Sequence, residues 1–235
     1  MGMTTTTLTI GHTDPIRVQN PTFPSLPRSV KGLQDLVGGL SNPSKMPGLS
    51  YSLPAWRCKV GGSLRSVKGS VCSGCYAMKG CYVFPVVKEA LERRFAAIRA
   101  PYWTAAFIAL LRSKRNMRFF RWHDSGDLQS TAHLQNIVTI AENVPSVRFW
   151  MPTREYRILD TFEGTIPSNL IIRVSAHMVG SDAPSRFRHT SVVLPKGTDS
   201  IPGAFTCIAS QQGNECYRCR ACWSPNASTI AYPIH

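Results

Sequence analysis

The sequence predicts an α/β fold, either a partial (β/α) barrel or an open parallel sheet, with cysteine-rich loops at one rim. Three observations predict this fold class. Beyond residue 116, short apolar runs typical of strands alternate with segments of helical periodicity. The spacing of the runs suits the crossover connections between parallel strands. Polar or thiol side chains follow four of the runs, and ligands of such sheets bind at the carboxyl ends of the strands.

The chain divides into an N-terminal arm and one domain. Residues 1–40 begin with a stretch rich in threonine and proline, which predicts an extended arm with little regular structure. Residues 41–235 predict a single α/β domain, because a chain of 235 residues suffices for one core. This domain carries two cysteine clusters, at 58–81 and 207–222.

The predicted helices and strands follow the first cysteine cluster. Pro85 suits a first helical turn, and apolar residues recur at helical spacing after it. A second helix follows Pro101, Ser130 or Thr131 caps a third, and a short helix is predicted at 154–161. The predicted strands are Met117–Trp122, Val147–Met151, Leu170–Ser175, Ser191–Leu194 and Ala204–Ile208.

The chain is strongly basic, with 27 Lys and Arg against 13 Asp and Glu and a formal net charge of +14. This balance favours a polyanionic partner, either a nucleic acid or a phosphorylated small molecule. Two alternatives stay open: the charge serves solubility alone, or it neutralises the negative charge of bound clusters. There is no run of 18 apolar residues and no secretion signal at the start, which together predict a cytoplasmic protein without a membrane partner.

The N-terminal cysteine group comprises Cys58, Cys72, Cys75 and Cys81. Cys72 and Cys75 form a C-x-x-C, whose two thiolates can turn back onto one metal ion or one iron–sulfur cluster. Cys58 is the expected third ligand. The role of Cys81 is left open between a fourth ligand, a ligand of another centre and a buried thiol. A four-thiolate zinc site is the alternative to an iron–sulfur cluster.

The C-terminal cysteine group comprises Cys207, Cys216, Cys219 and Cys222. Its C-x-x-C-x-x-C run resembles the ferredoxin-type spacing, and Cys207 would close the set. A structural zinc knuckle is the alternative. Because a reducing cytoplasm disfavours disulfides, the eight cysteines are predicted to bind metal, as one or two [4Fe-4S] clusters or as zinc.

Polar residues after three predicted strands form the candidate cofactor site. After the first strand, Ser-Gly-Asp can hydrogen-bond ribose hydroxyls or an amino-acid ammonium, and a capped turn is the alternative. Trp122 stacks on an adenine or, alternatively, belongs to the core. Arg154 holds a carboxylate or a phosphate, and the alternative is that it starts a helix. No P-loop, G-x-S-x-G or H-E-x-x-H occurs, so no catalytic residue is assigned. The candidate residues are Trp122, His123, Asp124, Ser125, Gly126, Asp127, Thr153, Arg154, Glu155 and Ser175.

Five longer motifs stand out between residues 38 and 225. They are Asn42-Pro43-Ser44-Lys45-Met46, Gly69-Ser70-Val71-Cys72-x2-Cys75-Tyr76-Ala77, Phe120-Arg121-Trp122-His123-Asp124-Ser125-Gly126-Asp127-Leu128, Pro152-Thr153-Arg154-Glu155 and Gly213-Asn214-x-Cys216-x2-Cys219-Arg220-Ala221-Cys222-Trp223. Together they resemble a bacteriophage family known only as gene product eighty-eight. The family name carries no settled activity, so this resemblance implies a relationship rather than a function.

Cys72-x2-Cys75-Tyr76-Ala77 is also similar, more distantly, to the end of the cluster motif of radical S-adenosylmethionine (SAM) enzymes. That resemblance implies a partial (β/α) barrel and a [4Fe-4S] cluster with one open iron, held here by Cys58, Cys72 and Cys75. It also implies that the Gly-containing polar motif after an early strand contacts the methionine moiety. The chain departs from the usual C-x3-C spacing, since 13 residues separate Cys58 from Cys72.

These features predict an iron–sulfur protein whose N-terminal cluster binds SAM and cleaves it reductively, with an auxiliary C-terminal cluster. The substrate would be a nucleotide or a nucleic acid, and a host electron donor would supply electrons in the host cytoplasm. Enzymatic activity is left open against two alternatives. One is a non-enzymatic nucleic-acid-binding protein with structural zinc or iron–sulfur sites, and the other is an electron carrier with closed clusters.

Overall fold

Seven parallel strands form one sheet in the computed structural model, which describes residues 25–234. The strands are β1 (Leu49–Tyr51), β2 (Phe119–Trp122), β3 (Arg148–Thr153), β4 (Leu170–Ser175), β5 (Thr190–Leu194), β6 (Ala204–Thr206) and β7 (Thr229–Pro233). Their order across the sheet is β1-β2-β3-β4-β5-β7-β6, and every neighbouring pair runs parallel. The predicted α/β class with an open parallel sheet is thereby confirmed.

Six α-helices lie within the same residues, and local sequence signals set their starts. They are α1 (Val30–Val37), α2 (Val60–Leu64), α3 (Pro85–Ala97), α4 (Trp103–Ser113), α5 (Thr131–Asn143) and α6 (Tyr156–Asp160). Pro85 occupies the first position of α3, as predicted. Ser130 caps α5, since its Oγ accepts a hydrogen bond from the His133 N–H at 3.1 Å. None of these helices has the length and apolar character that crossing a bilayer requires.

The predicted extended arm is wrong at residues 30–37, which form α1. Leu33 and Val37 stand four residues apart, so they share one face of the helix, and both are buried. Gly38 ends the helix at a φ of 79°, a conformation that glycine adopts without steric cost. Residues 1–24 of the predicted arm lie outside the described residues.

The five predicted strands are present, and their bounds differ from the prediction by at most two residues. The sequence pattern predicts neither β1 nor β7. β1 has only three residues, too few to show an alternation. β7 ends at Pro233, a residue that argues against a strand inside a sheet. Because that proline is the last residue of β7, it breaks no pairing before the strand ends.

The helix-covered face of the sheet forms an aromatic core. Phe120 and Trp122 alternate with Phe119 and Arg121 along β2, and only the first two are fully buried. The Trp122 ring centroid lies 5.0 Å from the ring centroids of Phe120 and Phe107. The structure thus places Trp122 in the core, where neither face of its indole is open to a cofactor.

The opposite face of the sheet is covered by the C-terminal segment. Trp223 donates from Nε1 to the carbonyl of Phe120 at 2.9 Å. The Trp223 ring also packs against Trp150 of β3, with a centroid separation of 5.1 Å. These contacts seat the C-terminal cysteine group directly on the sheet, opposite the helices.

Apolar packing is unequal along the sheet. The large core cluster lies around β1 to β4 and contains most of the buried aromatic side chains. A separate cluster beyond β4 consists of the small or aliphatic residues Ala176, Val192, Leu194 and Ala231. The first four strands therefore carry most of the hydrophobic stabilisation, and they also carry the predicted polar rim.

Candidate functional site

The segment 58–82, which carries the N-terminal cysteine group, lies across the rim formed by the carboxyl ends of the strands. The N–H of Val60, at the start of α2, donates to Glu155 Oε1 at 3.0 Å, just beyond β3. The N–H of Val71 donates to the His177 carbonyl at 2.9 Å, just beyond β4. The parallel sheet thus brings the N-terminal cysteines next to the predicted polar residues.

The thiols of Cys58 and Cys72 face a common space beside Gly61. Cys75 comes one 3-10 turn after Cys72 in the chain. A Cβ placed on Gly61 would stand 3.5 Å from the sulfur of Cys72 and 3.7 Å from the sulfur of Cys58. Because glycine has no side chain, the backbone of α2 can lie this close to both sulfurs. The N–H of Cys75 donates to the Cys72 carbonyl at 3.2 Å, which closes a 3-10 turn. The donor set and the cradle at Gly61 fit a soft metal centre.

Cys58, Cys72 and Cys75 share one electrostatic environment. Burial raises the pKa of the Cys58 thiol, and the negative charges of Asp127, Cys75 and Cys72 raise it further. Burial also raises the pKa of Cys72, which the positive charge of Arg154 partly offsets. Thiols with a raised pKa stay protonated until a cation compensates the thiolates, which a metal does on binding.

Cys81 is set apart from the other three cysteines of its group. Its side chain is exposed, whereas Cys72 is buried and Cys58 and Cys75 are half-buried. A further 3-10 turn, Tyr76–Met78, separates Cys81 from Cys75 along the chain. Of the roles left open by the sequence, a buried thiol is wrong for Cys81.

The four thiols of the C-terminal group line one cavity of about 20 Å³. A cavity of this size has room for about one water-sized body. Burial raises the pKa of the Cys222 thiol to about 11, although the Tyr232 hydroxyl, Arg173 and Arg121 lower it. The Tyr232 hydroxyl lies 3.3 Å from the Cys222 sulfur, within reach of an O–H to sulfur hydrogen bond.

Arg173 of β4 holds the backbone of the C-terminal group. Its side chain is fully buried and makes five hydrogen bonds of 2.8–3.3 Å, using every N–H donor of the guanidinium. The acceptors are the carbonyls of Ala221, Cys222, Ser224, Ala227 and Ser228. The loop that carries Cys222 is thus fixed to the centre of the sheet by one side chain.

Arg121 of β2 lies between the two cysteine groups. Its guanidinium carbon stands 4.5 Å from the centroid of the Trp150 ring, and its buried Nε has no hydrogen-bond partner. The Tyr76 hydroxyl is buried against Asp124 although the residue as a whole is 54% exposed, and this burial raises the pKa of Tyr76. The charge of Arg121 offsets the rise, as it does at Cys222. Within residues 25–234 the side chain forms no ion pair with a carboxylate. Its positive charge, on which the Asp124 carboxylate also acts, would stabilise a negative centre at either group.

Asp127, predicted to contact a cofactor, has its carboxylate occupied by the protein. It accepts hydrogen bonds from Thr153 Oγ1 at 2.6 Å, from the Leu128 N–H at 2.8 Å and from the Arg154 N–H at 2.9 Å. Burial nevertheless raises the pKa of Asp127 to about 6, against the lowering effect of these bonds. Asp127 and Thr153 tie the end of β2 to the end of β3.

Three other residues predicted to contact a cofactor are likewise engaged within the protein. Ser125 Oγ donates to the Leu53 carbonyl at 2.8 Å. Gly126 adopts a φ of 77°, and a Cβ there would stand 2.6 Å from the same Leu53 oxygen. Ser175 Oγ lies 2.9 Å from Ser191 Oγ, a buried pair of hydroxyls. The predicted residues that keep partial exposure are Asp124, Gly126 and Arg154.

His123 and His133 form a buried pair beneath the rim. Their ring centroids are 5.6 Å apart, and all four ring nitrogens are buried without a partner. Burial lowers the pKa of His133 to about 3 and that of His123 well below its usual value. Both rings are neutral at pH 7, so His123 belongs to the interior rather than to a ligand-contacting surface.

No group of three or more His, Cys, Asp or Glu side chains within residues 25–234 is arranged as a metal site. Metal binding by the eight cysteines therefore stays a prediction. Sequence reasoning missed Gly61, Arg121, Arg173 and Tyr232. For the two arginines a signal exists, since each interrupts an otherwise apolar strand, and a charge buried there needs a specific partner.

A family model described as Gene product 88 matches residues 28–225. This match confirms the resemblance predicted from the five motifs. No curated protein and no solved structure matches the chain, so the more distant resemblance to radical SAM enzymes stays a prediction. The match covers most of the chain, including both cysteine groups and the rim. The chain therefore belongs to the Gene product 88 family.

Proposed function

We propose that this chain is an iron–sulfur enzyme whose N-terminal cysteine group holds a [4Fe-4S] cluster through Cys58, Cys72 and Cys75. One observation carries the proposal. The thiols of Cys58 and Cys72 lie beside Gly61 at the rim, and Cys75 follows Cys72 by one 3-10 turn, whereas Cys81 is exposed on the surface. A cluster with three protein ligands supplies electrons and one iron that can take a further ligand.

The partly exposed rim residues would bind and orient that further ligand, for which we propose SAM. Arg154 is half-buried beyond β3, and its Nε donates to the Ala176 carbonyl at 3.2 Å. Its two terminal NH2 groups would hold a carboxylate at the rim. Asp124 is half-buried beyond β2, and each of its carboxylate oxygens accepts one hydrogen bond, from Ser50 or from Tyr82. The remaining lone pairs would accept from an ammonium or a ribose hydroxyl. Asp127 is not free for this role, and it instead keeps the ends of β2 and β3 at a fixed separation.

A nucleotide or a nucleic acid is the proposed substrate. The net charge of +14 supports a polyanionic partner. Near the N-terminal group, Lys59, Lys68 and Lys79 have exposed side chains. A substrate phosphate approaching the rim would therefore meet positive charge next to the thiols.

For the C-terminal group we propose a closed, structural metal centre with all four thiolates as ligands. All four of its thiols line one cavity, which supports a centre closed by four protein ligands, with zinc and an iron–sulfur cluster as the two alternatives. The net charge of +14 supports a second candidate function. If both groups hold zinc, the chain is a nucleic-acid-binding protein without redox chemistry.

The test is metal analysis of protein purified without oxygen, comparing four single Cys→Ser variants. We expect brown protein with about four iron and four sulfide in the N-terminal group. The C58S, C72S and C75S variants should lose this iron, and C81S, the matched control, should keep it. Colourless protein containing only zinc would favour the second candidate, and iron loss in C81S equal to that in C72S would contradict three-cysteine ligation.

A further inference from the structure

An exposed apolar strip leads away from the N-terminal cysteine group. We define it as Tyr76–Val86. Of the twelve exposed large hydrophobic residues in the described part of the chain, five fall within these eleven positions. They are Tyr76 (54% exposed), Met78 (36%), Val83 (42%), Phe84 (56%) and Val86 (70%). Clustering of this kind marks a surface that another molecule covers.

The strip is fixed in place although it is exposed. Tyr82 donates its hydroxyl to Asp124 Oδ2 at 3.1 Å, and the Tyr76 hydroxyl donates to the Asp124 carbonyl. The Phe84 carbonyl accepts hydrogen bonds from the N–H of Val87 at 3.0 Å and of Lys88 at 2.9 Å, which begin α3. The backbone beneath both exposed rings is therefore ordered before any partner binds, which reduces the entropy cost of binding.

The sequence that forms the strip is basic, and the half-buried Asp124 is the acidic side chain bonded to it. From residue 36 to residue 88 the sequence contains no Asp or Glu. The same stretch contains seven basic residues, namely Lys45, Arg57, Lys59, Arg65, Lys68, Lys79 and Lys88. Lys79 lies within the strip and Lys88 two residues beyond it, and both are exposed. A surface that combines aromatic rings with an excess of positive charge is complementary to a strand with exposed bases and phosphates.

We propose that the Tyr76–Val86 strip binds single-stranded nucleic acid. Phe84 and Tyr76 stack on bases, and Lys79 and Lys88 contact phosphates. A single strand fits better than a duplex, because stacking on an exposed ring requires an unpaired base face. The inference rests on the proposed function only for its substrate class. Since Tyr76 directly follows Cys75, a strand on this strip would pass beside the N-terminal thiols.

The test is fluorescence anisotropy of the full chain with a labelled single-stranded oligonucleotide, as DNA and as RNA, and with the matching duplex. We expect tighter binding of the single strand. The F84S variant should weaken it by about 5- to 150-fold, the range that the loss of one base–aromatic stack gives. F84W should restore binding. The matched control is I166S, because Ile166 is 37% exposed and lies outside the strip.

The lysines give an independent readout. K79Q and K88Q should each lower the slope of log K against log salt by about 0.7 for a single strand. Unchanged binding by F84S, or equal affinity for single strand and duplex, would overturn the proposal. So would the absence of oligonucleotide binding together with self-association that F84S abolishes, which would mark the strip as a protein-docking surface.

Metal content separates the outcomes of this inference from those of the proposed function. F84S should contain as much metal as the unmodified chain, since Phe84 is 56% exposed and lies nine residues beyond Cys75, the last of the three proposed ligands. A chain that binds metal but no oligonucleotide overturns the inference alone. A chain that binds the oligonucleotide but no iron overturns the proposed function and leaves the inference standing.

Discussion

The two cysteine groups contain similar C-x-x-C spacings, yet they lie at different places on the sheet and differ in the exposure of their thiols. The N-terminal group spans the rim of the sheet, with three shielded thiols and an exposed Cys81. The C-terminal group lies on the face of the sheet, with four thiols around one small cavity and its loop fixed by the buried Arg173. The comparison teaches that the spacing of the cysteines in the sequence predicts which ligands are available. The strands and side chains around each group decide how many of its thiols are brought together.

The largest expected effect comes from removing the support of the C-terminal group. The R173M variant removes the buried donors of five hydrogen bonds to backbone carbonyls, which should cost about 3 kcal/mol or more in the free energy of unfolding. It should also release metal from the C-terminal group while sparing the N-terminal group. Urea unfolding and metal analysis measure both effects.

Arg115→Met is the matched control for this experiment, because Arg115 is exposed. The R173K variant keeps the charge but has fewer donors, so it should fall between R173M and the unmodified chain. Equal metal loss from both groups in R173M would contradict the separate support described here.

Acid should act on the rim through the buried histidine pair. The pKa of His133 is about 3 in the folded chain and about 6.5 when unfolded, so the unfolded state binds the proton more readily. Stability should thus fall as the pH drops below 6.5, by about 2 kcal/mol at pH 5 from His133 alone. The nearby charges of Arg99 and Arg121 act in the same direction. Chemical denaturation from pH 8 to pH 5 measures how the free energy of unfolding changes with pH. The same pH dependence in H133Q would contradict a contribution from His133.

Substitution of Gly61 tests the N-terminal group alone. An added methyl in G61A would stand 3.1 Å from Cys58 Cβ and 3.5 Å from Cys72 Sγ, where a bound centre needs room. We expect metal binding there to weaken by about 10-fold, within the range for residues that support metal ligands. The control is G62A, in the same helix, because a Cβ on Gly62 meets nothing within 4 Å. Equal metal affinity of G61A and G62A in chelator competition would contradict the claim that Gly61 leaves room for a metal centre.

The smallest expected effect concerns the Tyr232 hydroxyl. The Y232F variant loses one hydrogen bond to the Cys222 sulfur, worth about 0.5–1.5 kcal/mol. The dissociation constant for metal at the C-terminal group should rise roughly 2- to 12-fold, and that at the N-terminal group should not change. Competition with a chromogenic chelator measures the difference, and a larger loss at the N-terminal group would be inconsistent with the geometry.

The fold was largely predictable from sequence because its signals are local. Leu170–Ser175 is an apolar, β-branched run, and its predicted bounds match β4. α1 was missed because the threonine and proline of the preceding residues dominate the pattern, although Leu33 and Val37 have helical spacing.

The candidate site was predictable in residue type but not in role. The positions of Asp127 and Ser125 beyond β2 were predicted, yet both side chains bond to the protein itself. Which partner a polar group takes depends on residues far away in the chain, such as Leu53 and Thr153. The role of Arg173 has the same origin, since its acceptors lie about fifty residues beyond it.

Low-temperature EPR of the reduced C81A variant, prepared without oxygen and recorded with and without SAM, tests the central claim most directly. The account predicts the signal of a reduced [4Fe-4S] cluster in C81A, and a changed signal when SAM is added, because three cysteines leave one iron open. Absence of the cluster signal from C81A, or a signal that SAM leaves unchanged, would contradict an open three-cysteine centre at the rim.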